Sequence, residues 1–279
     1  MPRRFQLVDV FGLAPFSGNP LAVVADAEGL STDEMQAITR WMNLSETAFL
    51  LKPSHPDADY RVRIFTLSRE LPFAGHPTLG SCHAWLAGGG RPKRQGLIVQ
   101  QCGIGLVDVK RIDGRLAFAA PPLVRSGPVA DADLAEALDL LDLKHGDVVE
   151  ARWIDNGPGW MGLLLASAEA VLAVEPRRHH ARRIDVGLVG PHPAGSEAAW
   201  ELRALFTDSA GAIVEDPVTG SLNASVGQWL FESGRASESY VAAQGARLGR
   251  TGRVHLARDG NGTVWVGGGT ATLFSGREG

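Results

Sequence analysis

The sequence predicts an α+β protein of two pseudo-symmetric lobes, each a curled, mostly antiparallel sheet or barrel around a central helix. Three observations carry that expectation. First, one pattern occurs twice: GHPTLGSCHAWL (75–86) and GSLNASVGQWL (220–230) both open on Gly beside an imidazole or small polar side chain and both end in Trp-Leu. Second, the flanks repeat. ELPFA (70–74) and EDPVT (215–219) precede the two segments, and the Gln-Gly-rich starts QQCGIGLVDV (100–109) and AQGARLGRTGRV (243–254) follow them. SGNPLAVV (17–24) likewise has a counterpart in NGPGWMGLLL (156–165). Third, strand patterns of meander type alternate with one long helix per half. A unit written twice implies two lobes facing each other, with a ligand cleft at the pseudo-twofold.

Residues 4–12 alternate, turn at Ser17-Gly18-Asn19-Pro20, and continue as the strand LAVVAD. Ser31 and Glu34 form a capping box ahead of an apolar stripe of Met35, Ile38, Trp41 and Met42, with Trp41, Trp85 and Trp229 read as core. NLSETAFLL (43–51) runs into a strand and YRVRIFTL (60–67) is another. The helix from Gly75 has Pro77 near its start and stops at Gly88-Gly89-Gly90. Residues 96–121 form a hairpin about Ile112-Asp113-Gly114.

The Pro-rich stretch PPLVRSGPVA (121–130) marks the lobe boundary, giving lobes of 1–120 and 121–267, with a strand at about 268–279 a candidate to return to the first. In the second lobe, Asp131 caps a helix over 131–141, followed by strands at 148–154 and 161–166 and a helix around 175–183. A strand at 184–190, a helix or strand at 197–206, a strand at 211–214 and the helix at 220–234 come next. Strands at 239–243, 252–257 and 263–274 close the chain.

Composition narrows the function classes. Hydrophobic content of 44%, charged content of 21% and a net charge of −4 are those of an ordinary globular protein without a polyanion-binding signal. The cluster RRHHARR (177–183) reads as a solvated helix face, not a nucleic-acid patch. There is no membrane-spanning run and no signal-peptide core, so the expectation is a cytoplasmic protein with no membrane partner. Cys82 and Cys102 read as two reduced, buried thiols. Metal-ligand spacing, a strand–GxGxxG–helix unit and a G-x-S-x-G elbow are all missing, so no metal, dinucleotide cofactor or serine-hydrolase chemistry is expected.

DVFGLAPFSGNPLAVV, NLSETAFL, ELPFAGHPTLG, EDPVTGSLNASVG, QGARLGRTGRV and VWVGGGTATLFSG span nearly the whole chain. In that order they resemble the PhzF-like family of phenazine biosynthesis, within the diaminopimelate epimerase fold. The resemblance implies a homodimer with a metal-free, cofactor-free cleft that isomerises a small anionic substrate by proton transfer. It places the acid/base carboxylate on Glu46, the cleft histidine on His76 and the cleft aspartate on Asp216. It places substrate-binding positions on Gly75, Pro77, Gly220 and Ser221, and adds Ser45 and Gln244 as further candidates. In related two-thiol racemases the helix starts carry paired cysteines; here they carry Gly75-His76 and Gly220-Ser221, which argues against that chemistry. FTLSREL and IDNGPGWMG depart from the family pattern at the expected cleft rim.

The residues themselves allow that chemistry. Helix starts at 75–77 and 220–222 present N–H donors to a carboxylate, and glycine permits close approach. Burial would raise the pKa of Glu46 so that it could both take and return a proton. Read alone, Glu46 is a cap at a strand entry, Asp216 a turn former and Ser221 an N-cap, while His76 serves equally as a helix-start residue and Gln244 as a strand-end tie. An epimerase on the same fold and a non-catalytic binding protein are the rival functions.

Overall fold

The computed structural model describes residues 2–278 and divides into two compact units. Unit 1 runs to Ala119 and resumes at Gly267, and unit 2 spans Ala120–Val266. Unit 1 contains β1 (Arg4–Val10), β2 (Asn19–Val24), α1 (Thr32–Met42), β3 (Glu46–Leu51), β4 (Tyr60–Thr66), β5 (Glu70–Leu71), α2 (Gly75–Ala87), β6 (Ile98–Cys102), β7 (Gly105–Ile112) and β8 (Arg115–Ala119). Unit 2 begins with β9 (Arg125–Pro128), α3 (Asp131–Leu141), β10 (Val148–Asp155), β11 (Trp160–Leu165), α4 (Ala168–Ala173) and β12 (Asp185–Pro191). It continues with β13 (Trp200–Thr207), β14 (Ile213–Asp216), α5 (Gly220–Glu232), β15 (Ser239–Gln244), β16 (Gly252–Arg258) and β17 (Val264–Gly268). The last strand, β18 (Thr270–Arg277), belongs to unit 1.

The pairing order is the same in both units. In unit 1, β1 is antiparallel to β2, β2 parallel to β3, and β3 antiparallel to β4. β4 takes the short β5 antiparallel and β6 parallel, and antiparallel pairs continue through β7 to β8. In unit 2, β10, β11, β12 and β13 repeat the antiparallel–parallel–antiparallel series. β13 then takes β14 antiparallel and β15 parallel, and β16 pairs antiparallel with β15. Even the outer neighbours correspond, β18 on β1 and β9 on β10. The class is α+β with mostly antiparallel pairs, and the strands stay open without closing into a barrel.

Parallel neighbours need a crossover. α1 and α4 lie in the first crossover of each unit, and α2 and α5 lie in the second. Both second-crossover helices are 13 residues long and buried along most of their length. α2 packs on β1, β2, β3, β4, β6, β8 and β18, and α5 packs on β10 and β16. Burial on most sides matches their sequences, which are rich in small and apolar residues and hold a single charged side chain, Glu232.

Local signals account for several boundaries. Ser31 Oγ accepts from Glu34 N (3.2 Å), while Ser31 N donates to Glu34 Oε2 (2.7 Å), so the capping box starts α1. Asp113 and Gly114, at φ 48° and 79°, turn β7 into β8 as a two-residue hairpin.

Other expectations are corrected. The helix expected around 175–183 is six residues long and lies earlier, as α4, capped by Ser167 Oγ. Pro176 bars a helix through Glu175, and RRHHARR is irregular backbone, not a helix face. Asp131 is the first residue of α3 and not its cap; Ala130 occupies that position without a side-chain bond. The ambiguous 197–206 segment is the strand β13, and the single strand expected at 263–274 breaks at Gly269 into β17 and β18. Trp41 is 82% exposed and not core, and Cys102 is only half-buried.

The loop from β1 to β2 is the tightest constraint near the site. Asp9 Oδ1 accepts from Gly18 N (2.9 Å) and Oδ2 from Ser17 N (3.1 Å). A Cβ on Gly18 would lie 2.2 Å from Val10 O and 2.5 Å from Gly12 N, both backbone atoms. Gly18→Ala is therefore expected to destabilise the protein by about 1–3 kcal/mol or more, read as a lower urea midpoint at unchanged m-value.

Candidate active site

The site is built separately in each unit. In unit 1, Glu46 is the first residue of β3 and His76 the second of α2, and the two side chains meet: His76 Nε2 lies 3.6 Å from Glu46 Oε2. The Glu46 side chain is 17% exposed and the His76 ring 4%. Burial pushes the His76 imidazole down to about 3, so it is neutral at physiological pH. The contact is thus one between a neutral imidazole and a carboxylate, not an ion pair. Asn19, wholly buried at the start of β2, places Nδ2 at 3.4 Å from His76 Nδ1. Gly75 and Pro77 are buried in the same first turn, whereas Ser45 is exposed one residue before β3. Pro77 costs no helical hydrogen bond there, because first-turn N–H groups have no helical partner.

Unit 2 answers with a closed network. Gln244 Oε1 accepts from Thr219 N (3.0 Å) and Asn223 Nδ2 (2.9 Å). Its Nε2 donates to Asp216 O (3.1 Å) and Thr219 Oγ1 (2.9 Å). The Thr219 hydroxyl in turn donates to Asp216 Oδ2 (2.6 Å). All four hydrogen-bond sites of the Gln244 amide are used, so this residue positions the α5 start and has no amide group left to offer a ligand. Ser221 Oγ accepts from Trp160 Nε1 (3.1 Å), and its carbonyl accepts from Asn156 Nδ2 (2.9 Å). The unusual IDNGPGWMG segment therefore ties the first turn of α5, where Gly220 is buried. Asp155 Oδ1 shapes that segment by accepting from Gly157 N and Gly159 N, each at 2.7 Å.

The electrostatics of the two helix starts set them apart. α1, α3 and α4 carry acidic residues in their first turns, and Ser31 and Ser167 cap α1 and α4. α2 and α5 have neither an acidic first turn nor a side-chain cap. Their partial positive charge is left for another anion. Among the described residues, no group of three or more His, Cys, Asp or Glu could hold a metal, and no helix is long and apolar enough to cross a membrane. A separate cavity of about 240 Å³ in unit 2, lined by His192, Glu201, Gln244 and Arg253 among others, includes none of the proposed acid/base residues.

The structure thus brings Glu46 to His76, and Asp216 to Thr219 and Gln244. Sequence reasoning missed Asn19, Thr219, Asn223 and Trp160 as parts of these clusters. Asn19 and Thr219 lie within the SGNP and EDPVTGS segments, which was the available signal.

Two units of one topology, each with a central helix that begins without a side-chain cap, define an α+β protein of the epimerase-like fold class. The model of the phenazine biosynthesis-like protein family matches residues 8–276, and the chain belongs to that family. An uncharacterized isomerase of Mesorhizobium japonicum is 50% identical over 91% of this chain and 90% of its own. The trans-2,3-dihydro-3-hydroxyanthranilate isomerase of Pseudomonas aeruginosa is 33% identical over 98% of both chains. A Bacillus anthracis phenazine biosynthesis protein of the PhzF family superposes with a TM-score of 0.82 at 19% identity over 99% of both chains, a likeness of fold.

The buried His76 has a consequence for stability against pH. Its folded pKa of about 3 lies below its ordinary 6.5, so between these values the unfolded chain binds the extra proton. Its contribution is fully present above pH 6.5 and falls by about 1.4 kcal/mol per pH unit below it. The His76 ring resonances are expected not to titrate between pH 5 and 8 by NMR; a midpoint in that range would contradict the burial argument.

Proposed function

We propose that this chain is a cofactor-independent isomerase that moves a double bond in a small carboxylate resembling trans-2,3-dihydro-3-hydroxyanthranilate. The observation that carries this reading is the Glu46–His76 contact at the uncapped start of α2. Glu46 takes a proton from a C–H made acidic by conjugation, and the electron pair of that bond moves into the π system. Glu46 returns the proton to a different carbon, so nothing is oxidised or reduced. The uncapped N–H groups at the start of α2 hold the substrate carboxylate, and in unit 2 Asp216 is a proposed substrate-binding group. The substrate class comes from the name of the Pseudomonas aeruginosa relative and the conjugated acid it specifies.

A two-thiol epimerase reading has no support at the helix starts, where Gly75-His76 and Gly220-Ser221 stand. Cys82 lies deeper in α2, and burial pushes its thiol up to about 12, leaving it protonated.

In deuterated water the wild type is expected to exchange label into such a dihydro-hydroxyanthranilate, or to isomerise it. Glu46→Gln keeps size and hydrogen bonding but removes the base, and turnover should fall by roughly 10²–10⁴-fold with substrate affinity changed far less. Asp216→Asn should weaken binding and turnover together. Undiminished turnover in Glu46→Gln would sink the mechanism, and tight binding with no exchange in the wild type would favour a binding protein instead.

A further inference from the structure

We propose that Asn19 is a positioning residue, whose amide selects the His76 tautomer that aims an N–H at the Glu46 carboxylate. The tautomer assignment stands on the Asn19–His76–Glu46 geometry and the neutrality of the buried ring, and its catalytic meaning rests on the reaction proposed above.

The geometry begins at the backbone. Asn19 follows the loop that Asp9 pins through Ser17 N and Gly18 N, and it sits opposite Val10 in the β1–β2 register. The loop packs so closely at Gly18 that a Cβ there would meet backbone atoms of Val10 and Gly12. The side chain is wholly buried, and its Nδ2 faces His76 Nδ1 at 3.4 Å. An amide nitrogen carries two hydrogens and donates only, so Nδ1 must accept. A neutral imidazole has one N–H, which must then be on Nε2, the atom 3.6 Å from Glu46 Oε2. The positive end of α2 also disfavours an imidazolium at this position.

The opposite amide orientation would reverse the ring. Asn19 Oδ1 would draw the proton to Nδ1, and the bare Nε2 lone pair would face a carboxylate, tolerable only if Glu46 held its own proton. The amide of Asn19 is therefore coupled to where the proton of the Glu46–His76 pair resides, and the observed orientation matches the ionised form that a base requires. In this arrangement His76 acts as a fixed donor and not as a second proton relay.

The test is long-range ¹H–¹⁵N correlation spectroscopy of the full chain labelled at histidine, with the His76 signals identified by their loss in His76→Gln. The wild type should show a protonated Nε2 and a bare Nδ1. Asn19→Asp replaces the donor with an acceptor of the same shape and should leave Nδ1 protonated. In the deuterium-exchange assay with trans-2,3-dihydro-3-hydroxyanthranilate, the same variant should lose roughly 10–100-fold in kcat, with KM within about threefold. A wild-type Nδ1–H, or an unchanged tautomer in Asn19→Asp, overturns the assignment; the wild-type spectrum decides it even if the variant does not fold. A switched tautomer with unchanged kcat overturns the positioning role. No exchange by the wild type would count against the proposed reaction, while the spectra still judge the tautomer.

Discussion

Parallel pairing of β4 with β6, and of β13 with β15, is the constraint on which the rest of this structure depends. Two parallel strands cannot be joined by a tight turn, so the chain must leave the sheet and return to the same end. In each unit it does so through a helix of 13 residues that enters directly from a short antiparallel strand, β5 or β14. The first turn of each helix is thereby delivered to a sheet end, where buried polar side chains gather. Its N–H groups are oriented by the crossover itself, and no side-chain cap has been spent on them.

The two copies use that position differently. In unit 1 the first turn of α2 brings an imidazole to a carboxylate on β3 and an amide on β2. In unit 2 the corresponding turn is held by Gln244, Thr219, Asn223 and Trp160, with the donors and acceptors of Gln244 matched. Satisfied buried networks rigidify their surroundings. One copy of the duplicated unit thus carries the carboxylate–imidazole cluster, while the other carries a stiff mount for a helix start and for Asp216.

Much of this was legible in the sequence because the relevant signals are local. The capping box at Ser31 and Glu34, the Asp113-Gly114 turn and the Gly-to-Trp-Leu helices depend on residues a few positions apart. What was not legible depends on tertiary contact. Asn19 reaches His76 across 57 residues and Gln244 reaches Thr219 across 25, and nothing in their own neighbourhoods specifies the partner. Trp41 fits the helical stripe yet is exposed, because periodicity assigns a face but not what covers it. β9 was hidden in a Pro-rich stretch read as the lobe boundary, since RSGP becomes a strand only through its pairing with β10. The position of α4 was lost to a conspicuous Arg-His cluster, although Ser167 and Pro176 bracket the helix more economically.

The return of β18 to β1 has a consequence for how the chain is made. The residues of unit 2 end at Val266, before the C-terminal strand. Unit 1, although begun first, stays without one of its sheet neighbours until Arg277 has been synthesised. During that interval the outer side of β1 is an unpaired strand edge, the kind of surface that recruits wrong partners. The unit that bears Glu46 and His76 is therefore complete in sequence only after unit 2 is, through a strand that follows it.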